Sequence, residues 1–450
     1  MDEYSHQIDW TRIEPVKRVW LGDAGGDQGA RLEFLAEQGL RLVMADLSME
    51  GEEMLHFFNP RDEETIHLTA RGDQRLLDES SKYFTEAHRW QELLEGGEIR
   101  DSDYGPGAAL LVRDGLLLQV GGGRVQSVYE VAREYPQAAM YGKRALEAGF
   151  LLEKSGGLEG VARGIAFLQA LEEARGVKVP EAALALRTAL LEITRVFYHL
   201  MWISKASTAL RRQAVADRCA SLRIHLGKRM LDWLGDPLGR EVIVPGGVRE
   251  DFPMREIPDT VDRLAFTADL WEELRPAVLS LPVPRWAARK LRPTVEDAQS
   301  GGWVGPLARA VGLDRDARIE EPGVYAAVGW EVQKPLEKDG LLRGMVVVRA
   351  CEISSSLVVA RRILSDLPGG KLLVKRGRGG KGVGFGRCEG PEGEVCCHLS
   401  TGKGRVAGMT LSLPHELNRS AARFLKGAWL DEVDLLSLLW EIPGGGGRTC

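Results

Sequence analysis

The chain has 450 residues, 44% of them hydrophobic and 28% charged, with a formal net charge of -6. That composition belongs to a folded protein of two or three domains, and so mild a charge argues against a nucleic-acid partner. No apolar run reaches the roughly 18–20 residues that span a bilayer, and the start, MDEYSHQIDW, is no secretory signal.

Residues 1–100 read as a first, small α+β domain. Arg41-Leu-Val-Met-Ala-Asp-Leu, Glu53-Met-Leu-His-Phe-Phe and Glu64-Thr-Ile-His-Leu-Thr-Ala carry the alternating and short apolar runs of strands. Asn59-Pro60-Arg61-Asp62 is turn chemistry between two of them. A helix is expected from Ser80 to Leu94, and strands followed by a helix suit an α+β unit.

A second domain is expected over 101–450. Two apolar runs flank Arg113-Asp114-Gly115, which predicts a hairpin. Pro136 opens a helix that Gly156-Gly157 ends. A second helix is expected from Ala162 to Arg175 and a third from Pro180 onward. On the third, Leu186, Leu190, Ile193, Phe197 and Met201 form an apolar stripe, and Glu192, Arg195 and His199 a polar one. Further helices are expected from Ser207 to Leu234, Pro258 to Leu281 and Val346 to Leu367. Long helices with short connections imply a bundle, and the whole reads as α+β.

The six cysteines are too sparse for a disulfide framework. Cys388, Cys396, Cys397 and His398 cluster in sequence, but without a paired C-x-x-C they read as strand residues before a metal site. Gly377, Gly379 and Gly382 match G-x-G-x-x-G in a run rich in lysine and arginine. No helix pattern follows, and no acidic ribose partner is evident about 20 residues on. A basic loop is the plain reading, with a docking surface or a nucleotide site as alternatives.

Several motifs in order carry a family resemblance. They are Lys154-Ser155-Gly156-Gly157-Leu158-Glu159, then Glu192-x-x-Arg195-x-x-x-His199-Leu200, then Gly246-Gly247-Val248-Arg249-Glu250-Asp251. Gly305-Pro306 with Asp316-Ala317-Arg318, Glu389-Gly390-Pro391-Glu392-Gly393-Glu394 and the tail Trp440 to Cys450 complete the series. From Gly105 to Cys450 the chain resembles the large subunit of nickel–iron hydrogenases of the formate-hydrogenlyase type. It is equally similar to the quinone-site (49-kDa-type) subunit of respiratory complex I. Residues 1–100 resemble the complex I subunit that is fused ahead of the large subunit in formate hydrogenlyase.

Those hydrogenases hold nickel and iron with two C-x-x-C pairs. The resemblance puts Gly156 and Glu159 at the first pair and Gly444 and Gly447 at the second. Soft metals need thiolates, glycine has no donor atom, and Glu159 offers a hard oxygen, so no nickel–iron centre is expected. The arginine near the nickel is replaced by Glu392. Gly105-Pro106-Gly107 runs straight into a strand without the histidine that reaches quinone in complex I relatives, while Tyr141 lies near their quinone-contacting tyrosine.

The resemblance implies a subunit of a membrane-associated, complex I-like oxidoreductase complex, cytoplasmic and peripheral on the inner face of the membrane. Its implied partners are an iron–sulfur small subunit, which would hold the clusters, and membrane-arm subunits. A quinone or another acceptor is implied to take the electrons, with no cofactor bound by the chain itself. A non-catalytic scaffold is the competing class. Candidate site residues are Glu159, Glu392, Tyr141 and His199. Glu159 and Glu392 are expected to approach the space that the metal cluster leaves.

Overall fold

The computed structural model describes the strands within residues 18–130, and then residues 140–155, 157–284, 293–321, 323–328, 340–374 and 381–428. The chain divides into two compact units, Met1–Val131 and Ala132–Cys450.

In the first unit, β1 (Arg18–Trp20), β2 (Arg41–Leu47), β3 (Glu52–Asn59) and β4 (Glu64–Arg71) form a sheet in the order β1-β4-β3-β2. Strands β2 to β4 follow the alternating runs of the sequence, and β1 pairs parallel to β4. A second sheet holds β5 (Ala109–Arg113), β6 (Leu116–Gly121) and β7 (Arg124–Glu130). Arg113 pairs with Leu116, the register expected of an Asp-Gly turn between them. The helix expected from Ser80 to Leu94 lies outside the described residues, as do Gly105 to Gly107.

The second unit opens on α1 (Ala145–Ser155), then a 3-10 turn (Gly157–Glu159) and α2 (Gly160–Ala174). Helix α1 is shorter than its sequence predicts. Gly142, at φ 75°, breaks the chain ahead of it, and 142–145 instead pairs with the turn around Gly404 to Val406. Next come α3 (Glu181–Ala209), α4 (Gln213–Leu234), the short strands β8 (Ile243–Val244) and β9 (Gly247–Val248), and α5 (Ile257–Leu279). The helix expected to start at Ser207 starts at Gln213, because Arg211 turns to φ 56° and ends α3.

Among the described residues, four short helices follow: α6 (Val295–Ser300), α7 (Gly305–Ala310), α8 (Ala317–Glu320) and α9 (Gly323–Val328). Then comes α10 (Leu341–Ser365). Helices α3, α4, α5 and α10 pack as a four-helix bundle, each against two of the others. Its core holds Trp202 and Trp271, both fully buried, with Trp271 Nε1 donating to Ser354 Oγ at 2.9 Å.

A sheet follows, β10 (Gly382–Glu389), β11 (Glu394–Gly402) and β12 (Arg405–Ser412), in that order, and after it a short helix (Pro414–Leu417) and a 3-10 turn (Arg419–Leu425). Helix α2 covers the β10 edge. Glu173 and Gln169 accept from the edge N–H groups of Phe385 and Arg387 at 2.5 and 2.9 Å. The helix comes this close because β10 alternates glycine. A Cβ on Gly382, Gly384 or Gly386 would stand 1.9–2.0 Å from the carbonyl oxygens of Ala174, Ala170 and Ala166. The glycine-rich run thus becomes, at its end, a seam between strand and helix. Gly377 and Gly379 lie outside the described residues.

Candidate functional site: a buried arginine–carboxylate network

The polar stripe of α3 faces the interior and meets residues from α7, α8, α9, α10 and the β10–β11 turn. Arg195 is fully buried and donates to the carbonyl oxygens of Glu389 and Gly390, each at 2.6 Å, and to Glu192 at 3.1 Å. It therefore fastens the hairpin 389–394 to the bundle. Glu192 also accepts from Tyr325 Oη at 2.6 Å and Ser356 Oγ at 2.5 Å. Burial opposes its charge, but Arg195 and Arg318 outweigh that and hold its carboxyl below the usual range.

Arg309, on α7, donates through Nη1 to Asp316 at 2.7 Å and to Glu389 at 2.8 Å, and its Nη2 lies 2.7 Å from Glu352. Arg318 pairs with Asp316 at 2.8 Å. The Gly305-Pro306 turn and the Asp316-Ala317-Arg318 triplet thus deliver two guanidiniums and a carboxylate to the same interior. Gly305, at φ 67°, sits so close to the hairpin that a Cβ there would lie 1.9 Å from Glu392 O.

His199 sits between Arg349 and Glu352, one turn apart on α10. Arg349 Nη1 lies 3.0 Å from His199 Nδ1, and His199 Nε2 lies 2.8 Å from Glu352 Oε2. Arginine can only donate, so Nδ1 accepts and Nε2–H donates to Glu352. The ring is therefore neutral. Burial pushes its pKa down to about 3 despite the bond to Glu352, with the charges of Arg349 and Arg195 adding to the effect. For Glu352, burial pushes upward, but Arg309, His199 and Arg318 hold it well below the ordinary carboxylate range.

Arg349 also donates through Nη2 to Glu392 at 2.6 Å and lies over the Trp202 ring, 4.7 Å from its centroid. A hydrogen-bonded line thus runs Glu392–Arg349–His199–Glu352; an ion pair carries it on to Arg309, which donates to Asp316 and Glu389. Arg195, Arg309, Arg318 and Arg349 face Glu192, Asp316, Glu352, Glu389 and Glu392, all buried. With His199 neutral the carboxylates exceed the guanidiniums by one. Burial, then Asp316, push the pKa of Glu389 up to about 6 against Arg309 and Arg318, so it takes up a proton as the pH falls below neutral.

Of the four candidate site residues, the network takes in His199 and Glu392, and with them Glu192 and Arg195 of the polar stripe. Glu159 is buried at the end of the 3-10 turn and pairs with Arg163 at 3.3 Å. Tyr141 is on the surface, 52% exposed, in the turn before α1. Gly156, Gly444 and Gly447 lie outside the described residues. Arg309, Asp316, Arg318, Arg349, Glu352 and Glu389 were not among the candidates. Charged residues three apart on an otherwise apolar helix, as with Arg349 and Glu352, were the available signal.

At the position that the resemblance gives to the first pair, Glu159 brings a carboxylate, a hard donor whose Oε2 is paired with Arg163, and not the thiolate that nickel–iron chemistry needs. Among the described residues no group of three or more His, Cys, Asp or Glu side chains could hold a metal ion. Cys388 is a buried strand residue whose Sγ donates to Ala162 O at 3.2 Å, and its strand partner is Val395. Cys396 and Cys397 alternate along β11, and burial pushes both thiols up to about 12. The Gly246-Gly247 motif is also structural. A Cβ on Gly247 would stand 2.0 Å from Leu372 O, and Arg187, paired with Glu172 at 2.6 Å, donates to the carbonyls of Val244 and Gly247.

Comparison with known proteins accords with this architecture. Residues 221–379 match the family model of the respiratory-chain NADH dehydrogenase 49 Kd subunit. The chain is 26% identical over 276 residues to the alpha subunit of the membrane-bound hydrogenase of Pyrococcus furiosus, covering 57% of this chain and 64% of that one. It is 29% identical over 222 residues to an NADH-quinone oxidoreductase subunit of Frankia casuarinae, covering 46% and 44%. It is 29% identical over 243 residues to formate hydrogenlyase subunit 5 of Escherichia coli, covering 51% and 40%. The matches thus span from two fifths to under two thirds of these relatives' lengths. A chain of the membrane-bound sulfane sulfur reductase, an archaeal respiratory membrane complex, shares the fold, with a TM-score of 0.64 and 22% identity over 73% of this chain and 92% of that one. No described helix is long and apolar enough to cross a membrane. The resemblance read from the sequence therefore holds: this α+β chain is similar to the large subunits of membrane-bound hydrogenases and to the 49 Kd-type subunits of complex I-like respiratory enzymes.

Proposed function

We propose that the chain is a subunit of a membrane-associated, complex I-like oxidoreductase complex related to energy-converting hydrogenases. It lies between an iron–sulfur partner and a membrane arm, peripheral on the inner face of the membrane, and its own large-subunit-like domain is 101–450. Electrons pass to a quinone-type acceptor without a nickel–iron centre. The observation that supports this reading is the line from Glu392 through Arg349 and His199 to Glu352. A charge change beside Glu392 is felt by Arg349 and, through it, by a ring that accepts on one nitrogen and donates on the other. Such a line couples charge at Glu392 to proton affinity at His199 and Glu352. Glu159 and Tyr141 are proposed to border the acceptor.

The test is quinone-analogue reduction by the purified complex. Glu159→Gln and Glu392→Gln, made singly, are expected to leave assembly intact and slow the reaction. Wild-type rates in both variants would leave the second reading, a non-catalytic scaffold joining the iron–sulfur partner to the membrane arm. Full burial of the network favours that second reading, because paired, buried charges also serve as ordinary structure. Identifying the proteins that co-purify tests the partners common to both.

A further inference from the structure

Outside the network, Glu153 near the end of α1 is a buried acid with one oxygen unsatisfied. It is 3% exposed. Its Oε2 accepts from the Glu241 N–H at 2.9 Å, while Oε1 has no hydrogen-bond partner among the described residues. The side chain lies over α2, where a Cβ on Gly164 would stand 3.7 Å from Glu153 Cβ and Cγ. Its carboxyl lines a partly open crevice formed by Leu146, Phe150, Leu168, Ile243 and Pro245. There is room for about one water molecule.

The opposite wall is a strained and acidic segment. Glu241 holds φ at 64°, a left-handed backbone unusual for a residue with a Cβ. Its carboxylate pairs with Lys154 at 2.7 Å. Arg240, the cation nearest to hand, is taken up by Asp236 at 2.7 Å. Helix α2 presents Gly160, Gly164 and Leu168 here, and the β8 side Ile243 and Pro245, none of them charged. Glu153 thus faces two other carboxylates, from Asp236 and Glu241, and no arginine of its own.

We propose that Glu153 is a solvent-exchangeable proton site, whose protonated form latches α1 to the segment 240–245 and whose ionised form loosens that latch. When protonated, the group is neutral: Oε2 still accepts from Glu241 N–H, and Oε1–H donates to a water in the crevice. On losing its proton to that water, an unpaired carboxylate stands against apolar walls beside Asp236 and Glu241. Hydrating it means opening the crevice, and the left-handed backbone at Glu241 supplies the give. Burial pushes the pKa up to about 7 with help from the charges of Asp236 and Glu241, against the hydrogen bond from Glu241 N–H and the charge of Arg240. The latch therefore changes state near neutral pH. Because α1 leads into the turn that carries Glu159, the proton on Glu153 governs the order of that segment.

The test is hydrogen exchange of the full chain at pH 6 and pH 8, read by mass spectrometry and corrected for intrinsic exchange. In the wild type, protection over 145–155 and 236–246 is expected to fall about tenfold at pH 8, with 257–279 unchanged. Glu153→Gln, neutral at both pH values and still able to accept from Glu241, is expected to keep its pH 6 protection throughout. Flat protection in the wild type overturns the latch, and so does an equal fall in Glu153→Gln. The wild-type series stands alone if the variant misfolds: a fall confined to the two segments supports the latch, and a uniform fall overturns it. None of these outcomes depends on electron transfer.

Discussion

Arg195 does the work of several residues, because it neutralises Glu192 and satisfies two carbonyls of the hairpin 389–394 at once. Removing one partner from a buried charge pair costs about 3–5 kcal/mol. Arg195→Ala is therefore expected to lower expression and melting temperature by that much stability, measured by denaturant unfolding. A variant that stays fully stable yet fails to pass electrons would assign the stripe to a proton route instead. His199 makes a pH prediction. Its folded pKa, about 3, lies below the unfolded value of about 6.5. Below pH 6.5 the unfolded chain binds a proton that the native ring refuses, so stability is lost as the pH falls from there. The loss reaches about 1.4 kcal/mol at pH 5.5. Glu389 acts in the opposite direction, since its raised pKa favours the fold below pH 4.5 and that contribution is lost as the pH rises through about 6. Thermal unfolding at pH 7.5 and 5.5 is expected to show a smaller acid-side loss in His199→Gln than in the wild type.

At the scale of elements, the junction of α2 with β10 rests on missing side chains. Strand edges are usually guarded by charge or covered, and here three alternate glycines let a helix backbone provide the cover. Gly384→Ala would put a methyl 2.0 Å from Ala170 O. The helix must then back away, at a cost of about 1–3 kcal/mol. Gly369→Ala, with nothing within 4 Å of its added carbon, is expected to change stability by less than about 0.5 kcal/mol. Urea unfolding of the two variants side by side tests this, and equal effects would remove the packing explanation. The same logic governs Gly305, whose bare Cα lets α7 sit against the hairpin that Arg195 holds from the other side.

At the scale of the whole molecule, the chain shares its fold with a chain of an archaeal respiratory membrane complex, and the resemblance to hydrogenases implies Gly156 and Glu159 where their first thiolate pair stands. Elemental analysis of the purified protein is expected to find no stoichiometric nickel, and assays to find no hydrogen evolution. About one nickel per chain would refute this. The resemblance to nickel–iron hydrogenases would imply trimming after the last C-x-x-C once the metal is in place. Gly444 and Gly447 stand at that motif here, so no metal-dependent cleavage is expected. Intact mass of the recombinant product matching the full chain would agree, and a shorter form that depends on a protease would not.

Local order was legible in the sequence. Strand alternation gave β2, β3 and β4, the Asp-Gly pair gave the β5–β6 register, and the apolar stripe with Pro180 gave α3. Periodicity and turn chemistry are properties of neighbouring residues, so a linear reading reaches them. It overran where a residue took a left-handed turn, as at Gly142 and Arg211. The motif order also sufficed for the family resemblance. The network was decided by tertiary structure alone. Arg195 and Glu389 are 194 residues apart, and His199 and Glu352 are 153 apart; nothing local marks them as partners. Whether a buried charge is a ligand, a strut or a proton site depends on which opposite charge the fold brings to it. Arg163 does this for Glu159 and Arg349 for Glu392. Glu153 is left with a backbone N–H and an open oxygen, a distinction that only the packed chain could draw.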